Sequence, residues 1–212
     1  MYVIHVDFSR AFDLVNRNIL FYKLHKNGYK GRVVDSLLSL YQNTSYMIKS
    51  CGKLSEIVRE NIGVNQGAIT SPFLFKEYIS DLKIYLDEYT GISIGDEIIV
   101  HELWADDLYL VADNFTHSQM QLDGLGKFCA PNHMIANEIK TKVMVYGNIK
   151  ETDNVDLTLN GKIIEKVDSY KSLGNVLNSI RTMRENMFKL TPGYLNCYAR
   201  QAIFGMKCKL KI

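Results

Sequence analysis

Only three prolines, one tryptophan and four cysteines occur among these 212 residues. The cysteines, Cys51, Cys129, Cys197 and Cys208, form no C-x-x-C pair, which argues against a zinc knuckle or a dense disulfide framework and fits a reducing compartment. No run approaches the roughly 18 apolar residues of a membrane span, and Met1 to Asp7 carries no basic leader before a long apolar core. The expectation is an intracellular chain, nuclear or cytoplasmic, with no membrane partner. Repeats, low-complexity tracts and linkers are absent too, and a content of 47% hydrophobic and 23% charged residues excludes disorder, collagen and coiled coil. Charge of one sign is also lacking overall: 25 Lys and Arg stand against 23 Asp and Glu, a net of +2. Such a total does not argue for nucleic acid. The distribution is less even. From Asn178 to Ile212 seven basic residues meet one acid, a net of +6, which leaves −4 on residues 1–177.

What is present reads as alternating strands and helices. Tyr2 to Val6 is an apolar run that ends at the acid Asp7, the pattern of a buried strand. Ile19, Leu20 and Leu24 up to Gly28, then Val33, Val34, Leu37, Leu38 and Tyr41, recur at helical spacing and predict two helices. Two short strands are expected around Gly52, followed by a loop from Gly63 to Pro72. From Phe73 to Leu86 the apolar positions predict an amphipathic helix of about four turns. Ile98 to Leu103 and Leu108 to Val111 flank Ala105-Asp106-Asp107 as the arms of a tight hairpin with two acids at its tip. A helix over Leu122 to Cys129, a strand over Val143 to Tyr146 and a hairpin about Asn160-Gly161 complete the pattern. After Pro192-Gly193 the basic segment resumes a helical spacing through Tyr198, Ala202, Ile203 and Met206.

Asp7, Asp106 and Asp107 all stand at ends of expected strands. Adjacent strand residues point to opposite faces, whereas two acids at a hairpin tip can converge on one point. Paired carboxylates of that kind invite a hard divalent cation such as Mg²⁺, which takes oxygen ligands and keeps waters and substrate phosphates. The chemistry is then phosphoryl transfer. Taken alone, the Asp106-Asp107 pair is equally a solvated turn.

The succession of motifs is more specific. Val6-Asp7-Phe8-Ser9-Arg10-Ala11-Phe12-Asp13, Gly63-Val64-Asn65-Gln66-Gly67-Ala68-Ile69-Thr70-Ser71-Pro72, Trp104-Ala105-Asp106-Asp107, Asn137-Glu138-Ile139-Lys140-Thr141-Lys142 and Tyr170-Lys171-Ser172-Leu173-Gly174 follow one another in this order. The series resembles the reverse transcriptase palm, most closely that of non-LTR retrotransposons of the long interspersed element type, over most of the chain. The resemblance implies that Asp7, Asp106 and Asp107, with the backbone carbonyl of Phe8, hold two Mg²⁺ ions, Mn²⁺ being able to substitute. It implies that Arg10, Ala11, Phe12, Gln66 and Gly67 meet the incoming nucleotide. Phe12 matches the steric gate that crowds a ribose 2′-hydroxyl, although an ordinary core aromatic would look the same. Lys140 matches a lysine that protonates the leaving pyrophosphate; a solvated lysine is the bland alternative. Tyr170, Leu173 and Gly174 match the primer grip, and packing alone could place them.

Two positions depart from the family pattern. Trp104 is bulkier than the usual aromatic before Ala-Asp-Asp, and Asn65 stands where proline is common. Only six residues precede Asp7, so a basic fingers segment is expected to be missing, and the short chain to bind primer-template weakly with low activity alone. The expected fold class is α/β (α+β): a polymerase palm at 1–177, an antiparallel sheet with helices packed on one face, and a basic start of a thumb or connection at 178–212. The implied function is RNA-directed DNA polymerisation, with an RNA template, a DNA primer and deoxynucleoside triphosphates as partners. A catalytically silent retroelement-derived domain that binds nucleic acid or protein is the alternative. Another two-metal phosphoryl enzyme is a third class, against which Phe12 and the Gln66-Gly67 loop argue.

Overall fold

A computed structural model describes residues 1–87, 90–94, 97–104, 106–146, 156–172 and 175–179. The grip residues Leu173 and Gly174 lie outside the described residues, as does the basic segment beyond Ser179. In chain order the first elements are β1 (Tyr2–Val6), α1 (Arg17–Lys26), α2 (Arg32–Gln42), β2 (Ser45–Tyr46), β3 (Lys49–Ser50), β4 (Lys53–Leu54) and β5 (Val58–Arg59). Next come α3 (Ser71–Tyr78), a 3-10 turn (Leu82–Ile84), β6 (Ile92–Ile94), β7 (Glu97–Ile99), β8 (His101–Trp104), β9 (Asp107–Ala112) and α4 (Phe115–Cys129). The last are β10 (Lys142–Val145), β11 (Thr158–Leu159), β12 (Lys162–Ile163), β13 (Glu165–Lys166), β14 (Ser169–Ser172) and β15 (Asn175–Asn178). Among the described residues no helix is long and apolar enough to cross a membrane.

Two compact units divide the chain. The first comprises, among the described residues, Met1–Asp7, those of Lys83–Lys127 and those from Ala136 to Ser179. Its centre is a five-stranded sheet in the order β13-β10-β1-β9-β8. β1 runs antiparallel to both neighbours, β9 and β10, and β8 continues the antiparallel pairing; only the edge strand β13 is parallel to its neighbour. A strand with neighbours on both sides and all five residues buried needs apolar residues without alternation, which Tyr2 to Val6 supplies at every position but His5. α4 is fastened to this sheet through Gln121, whose buried amide donates to the Val111 carbonyl (2.8 Å) and to the Thr90 hydroxyl (3.0 Å). Leu122 and Leu125 bury the apolar stripe of the same helix. The expected hairpin arm from Ile98 to Leu103 is broken in two. β7 pairs with β6 while β8 pairs with β9, and at the break the Val100 carbonyl accepts the N–H of Val111 (2.8 Å).

The second unit comprises Phe8–Leu82 and Phe128–Ile135. The Asn16 side chain caps α1 by accepting the N–H groups of Asn18 and Ile19. β3 and β4 form a hairpin nested inside the β2–β5 pair, so the strands expected around Gly52 become two concentric pairs. α3 corrects the expected helix. It spans eight residues rather than about four turns, because the Tyr78 carbonyl that would accept the N–H of Leu82 accepts the Lys23 ammonium instead (2.5 Å). Leu82 N–H then turns back to the Ile79 carbonyl (3.0 Å), one residue tighter than an α-helical bond.

Candidate active site

In the first unit the acids gather at one end of the central sheet. Val6 is paired with Leu108, so continuing the register by one step sets Asp7 beside Asp107 on the neighbouring strand. Trp104 pairs with Asp107 across the β8–β9 hairpin, and Asp106 is exposed at its tip. Backbone bonds fix the Asp7 main chain: its N–H donates to Thr141 Oγ1 (3.3 Å) and its carbonyl accepts the N–H of Asn137 (2.7 Å). The carboxylate is held far less. Its Oδ2 is buried, accepts no hydrogen bond among the described residues and faces Lys140 Nζ at 3.7 Å. The lysine itself arises from the turn that the Asn137 side chain closes by accepting the N–H groups of Ile139 and Lys140. Burial, then the charges of Asp106 and Asp7, push the Asp107 carboxyl above its ordinary value.

These carboxylates suit a hard divalent cation. They are oxygen donors, one oxygen is buried without a hydrogen bond, and their mutual repulsion is what a cation relieves. Among the described residues no group of three or more Asp, Glu, His or Cys side chains is already placed to hold a metal ion. Tyr170, on β14, is half-buried in the same unit. Burial and the charges of Asp107 and Asp7 raise its hydroxyl above the usual range, so the phenol stays protonated beside the acids.

The second unit carries the expected nucleotide residues. Phe8 is buried and Phe12 half-buried, and both rings lie against Phe75, at 6.4 and 5.1 Å between centroids. Ala11 is buried, whereas Arg10 is exposed and adopts a left-handed backbone, φ +50°. Gln66 is exposed on its loop, with its amide donating to Asp13 Oδ1 (2.9 Å). The two motif loops are tied at their base as well. Val64 N–H donates to the Phe12 carbonyl (2.9 Å), and Gly63 N–H to Val15 (2.7 Å). Gly63 has φ +84°, and a Cβ there would stand 2.9 Å from the Asp13 carbonyl oxygen, so only glycine fits. Gly67 also needs its freedom, but for conformation alone: φ is +83° and nothing lies within 4 Å of where a Cβ would be.

Residues 1–177 match the family model described as reverse transcriptase (RNA-dependent DNA polymerase). This chain belongs to the reverse transcriptase family. The retrovirus-related Pol polyprotein from the type-1 retrotransposable element R2 of Nasonia vitripennis is 26% identical over 97% of the chain and 22% of its own length. The RNA-directed DNA polymerase from the mobile element jockey of Drosophila funebris is 23% identical over 87% of the chain and 20% of its own length. These relatives make the chain a reverse transcriptase domain of the non-LTR retrotransposon kind, spanning about a fifth of each. A solved structure of apo telomerase from Candida tropicalis, truncated from the C-terminal domain, aligns at TM-score 0.57 and 15% identity. It covers 84% of this chain and 34% of the other, a likeness that establishes the polymerase palm fold.

Within this reverse transcriptase domain several supporting residues carry no local sequence signal. Arg17 is buried and donates to the carbonyls of Gly63 (2.8 Å), Tyr41 (2.9 Å) and Glu60 (2.7 Å) and to Thr44 Oγ1 (2.7 Å), with Glu60 Oε2 at 3.3 Å. It thereby anchors the start of the Gln66-Gly67 loop. Asp13, quoted in the first motif without a role, orients Gln66. Thr141 fixes the backbone of Asp7.

Proposed function

We propose that the chain catalyses template-directed addition of deoxynucleotides to a primer 3′ end, copying RNA into DNA. The observation that carries this reading is the end of the sheet where Asp7 and Asp107 stand on adjacent strands, Asp106 sits at the hairpin tip, and Asp107 bears the repulsion of the other two. Two divalent cations bound there would activate the primer hydroxyl and stabilise the leaving oxygen of an in-line displacement. In that reaction the primer 3′-hydroxyl gives up its proton to water, a bond forms between its oxygen and the α-phosphorus, the bond from that phosphorus to the bridging oxygen breaks, and pyrophosphate leaves. Asp7, Asp106 and Asp107 would hold the cations. Lys140, exposed and 3.7 Å from Asp7, supplies the proton that pyrophosphate takes up. Phe12 presents a half-buried ring that excludes a ribose 2′-hydroxyl, and Gln66, oriented by Asp13, meets the nucleotide with Gly67. The chain spans 22% of the Nasonia relative's length, and the proposal concerns this polymerase step alone.

The test is single-turnover extension of a DNA primer on an RNA template, with and without magnesium, by the full chain and by Asp106→Asn. The exposed Asp106 has no place in the folded core, so the variant should melt no lower than wild type and lose extension. Extension that needs no metal, or that Asp106→Asn leaves unchanged, defeats the reading and favours a silent nucleic-acid-binding domain.

A further inference from the structure

One row behind the acids, on the same face of the sheet, lies a set of aromatic rings. His5 stands two residues before Asp7 on β1 and pairs with Tyr109, which stands two residues after Asp107 on β9. Strand alternation puts all four side chains on one face. Tyr109 meets the imidazole edge-on, 5.1 Å between centroids at 81°, and Tyr170 stacks on it at 4.1 Å and 25°. His5 is only 2% exposed, and neither ring nitrogen has a hydrogen-bond partner among the described residues. A planar ring in this place orients the ring that stacks on it.

Tyr170 is the ring so oriented. It arrives from β14, a strand far along the chain that among the described residues pairs with β15 and lies outside the five-stranded ladder of β1, β9 and β10. Its ring lies face-on against His5, and the charges of Asp107 and Asp7 reach its hydroxyl. We propose that His5 is a positioning residue: its stacked ring holds the Tyr170 phenol at the acid end of the sheet, where it orients the primer terminus. This rests on the polymerase reading above. A planar replacement keeps the seat and a branched aliphatic one loses it. The residue thus acts on primer affinity rather than on the chemical step.

The experiment uses the full chain carrying His5→Phe, His5→Leu, Tyr170→Leu, and the last two combined. Proton NMR of the Tyr170 ring reports the stack directly, through the shift that a facing aromatic ring imposes. That shift should persist in His5→Phe and collapse in His5→Leu. In primer extension, His5→Leu and Tyr170→Leu should each raise the primer KM about two- to tenfold at unchanged kcat. His5→Phe should restore the wild-type KM, and the double variant should add nothing to either single change. A Tyr170 signal unmoved in His5→Leu overturns the proposal. So does a KM that stays at the wild-type value, a loss confined to kcat, or additive effects in the double variant. If His5→Leu does not fold, Tyr170→Leu and His5→Phe still decide through the same KM comparison. Wild-type chain that shows no metal-dependent extension brings down the polymerase reading itself, whereas normal wild-type extension with an unchanged KM in the variants brings down this inference alone.

Discussion

Replacing Asp107 by asparagine should stabilise the metal-free chain and abolish its response to magnesium. Asp107 opens β9 one register step beyond the Val6–Leu108 pair, with Asp7 beside it and Asp106 immediately before it. Directly opposed cross-strand positions lie about 5 Å apart. Two unit charges at roughly that separation repel by about 1 kcal/mol in water and about 3 kcal/mol at the effective dielectric near a protein surface. Asp107 is half-buried, so solvent screening favours the lower figure. Asparagine keeps the shape and removes the charge, a gain of about 1 kcal/mol, or roughly 2–4 °C in Tm for a chain of this size.

The gain has a defined pH window. Because burial, Asp106 and Asp7 raise the Asp107 carboxyl, the folded chain holds that proton more tightly than the unfolded chain. The contribution to stability is fully present below the ordinary carboxylate value and is lost as pH rises through the raised one. At neutral pH wild type therefore bears the whole penalty and Asp107→Asn escapes it; in acid the two converge. Magnesium reverses the order. A ligand at about ten times its Kd stabilises by about 1.4 kcal/mol, enough for wild type to overtake a variant that no longer binds it. The assay is a set of thermal melts by circular dichroism, in chelator and across a magnesium titration, at neutral and acidic pH. A lower Tm for Asp107→Asn in chelator at neutral pH would refute the electrostatic argument, and equal magnesium shifts in both proteins would remove Asp107 from the metal site.

The acids were legible because each borders an apolar run: Tyr2 to Val6 leads into Asp7, and Asp107 leads into Leu108 to Val111. Once those runs pair as central strands, register alone makes Asp7 and Asp107 neighbours. The helix after Pro72 was misjudged for the opposite reason. Ile79, Leu82 and Leu86 continue the helical spacing, but a contact from outside the segment takes the Tyr78 carbonyl and ends the helix. The agent is Lys23, whose type and place on α1 suggest a solvent-facing residue. It is buried, and its ammonium is satisfied by the Tyr78 carbonyl, Asp81 Oδ1 (2.6 Å) and Asn132 Oδ1 (2.5 Å), groups distant in sequence. Arg17 was hidden in the same way. Burial of a cation depends on acceptors that only the tertiary fold assembles, and periodicity within a window of sequence carries no record of them. His5 belongs with these: inside an apolar run it reads as one more strand residue, and its stacking partner comes from β14.

Four further outcomes are expected. Arg17→Lys should destabilise the chain by about 3 kcal/mol in denaturant titration, since an ammonium cannot reproduce the guanidinium's fork to several buried carbonyls; a change under about 1 kcal/mol would contradict the anchoring role. Gly63→Ala, at φ +84° and against the Asp13 carbonyl, should cost about 1–3 kcal/mol and lower nucleotide affinity by displacing the Gln66 loop. Phe12→Ala should relax exclusion of ribonucleotides in extension assays and lose about 1–3 kcal/mol of stability through the Phe75 contact; unchanged discrimination leaves Phe12 as packing only. Lys140 separates two roles that the geometry alone would allow, charge compensation of Asp7 and proton donation to pyrophosphate. Its side chain is 67% exposed, so the 3.7 Å pair with Asp7 contributes little to stability, and Lys140→Ala should melt within about 0.5 kcal/mol of wild type. A proton donor lost from the chemical step lowers the rate by about a hundredfold. Arginine keeps the charge but holds its proton too tightly to donate it. Single-turnover extension should therefore be slow in both Lys140→Ala and Lys140→Arg, and rescue by arginine would reduce Lys140 to a counter-charge for Asp7.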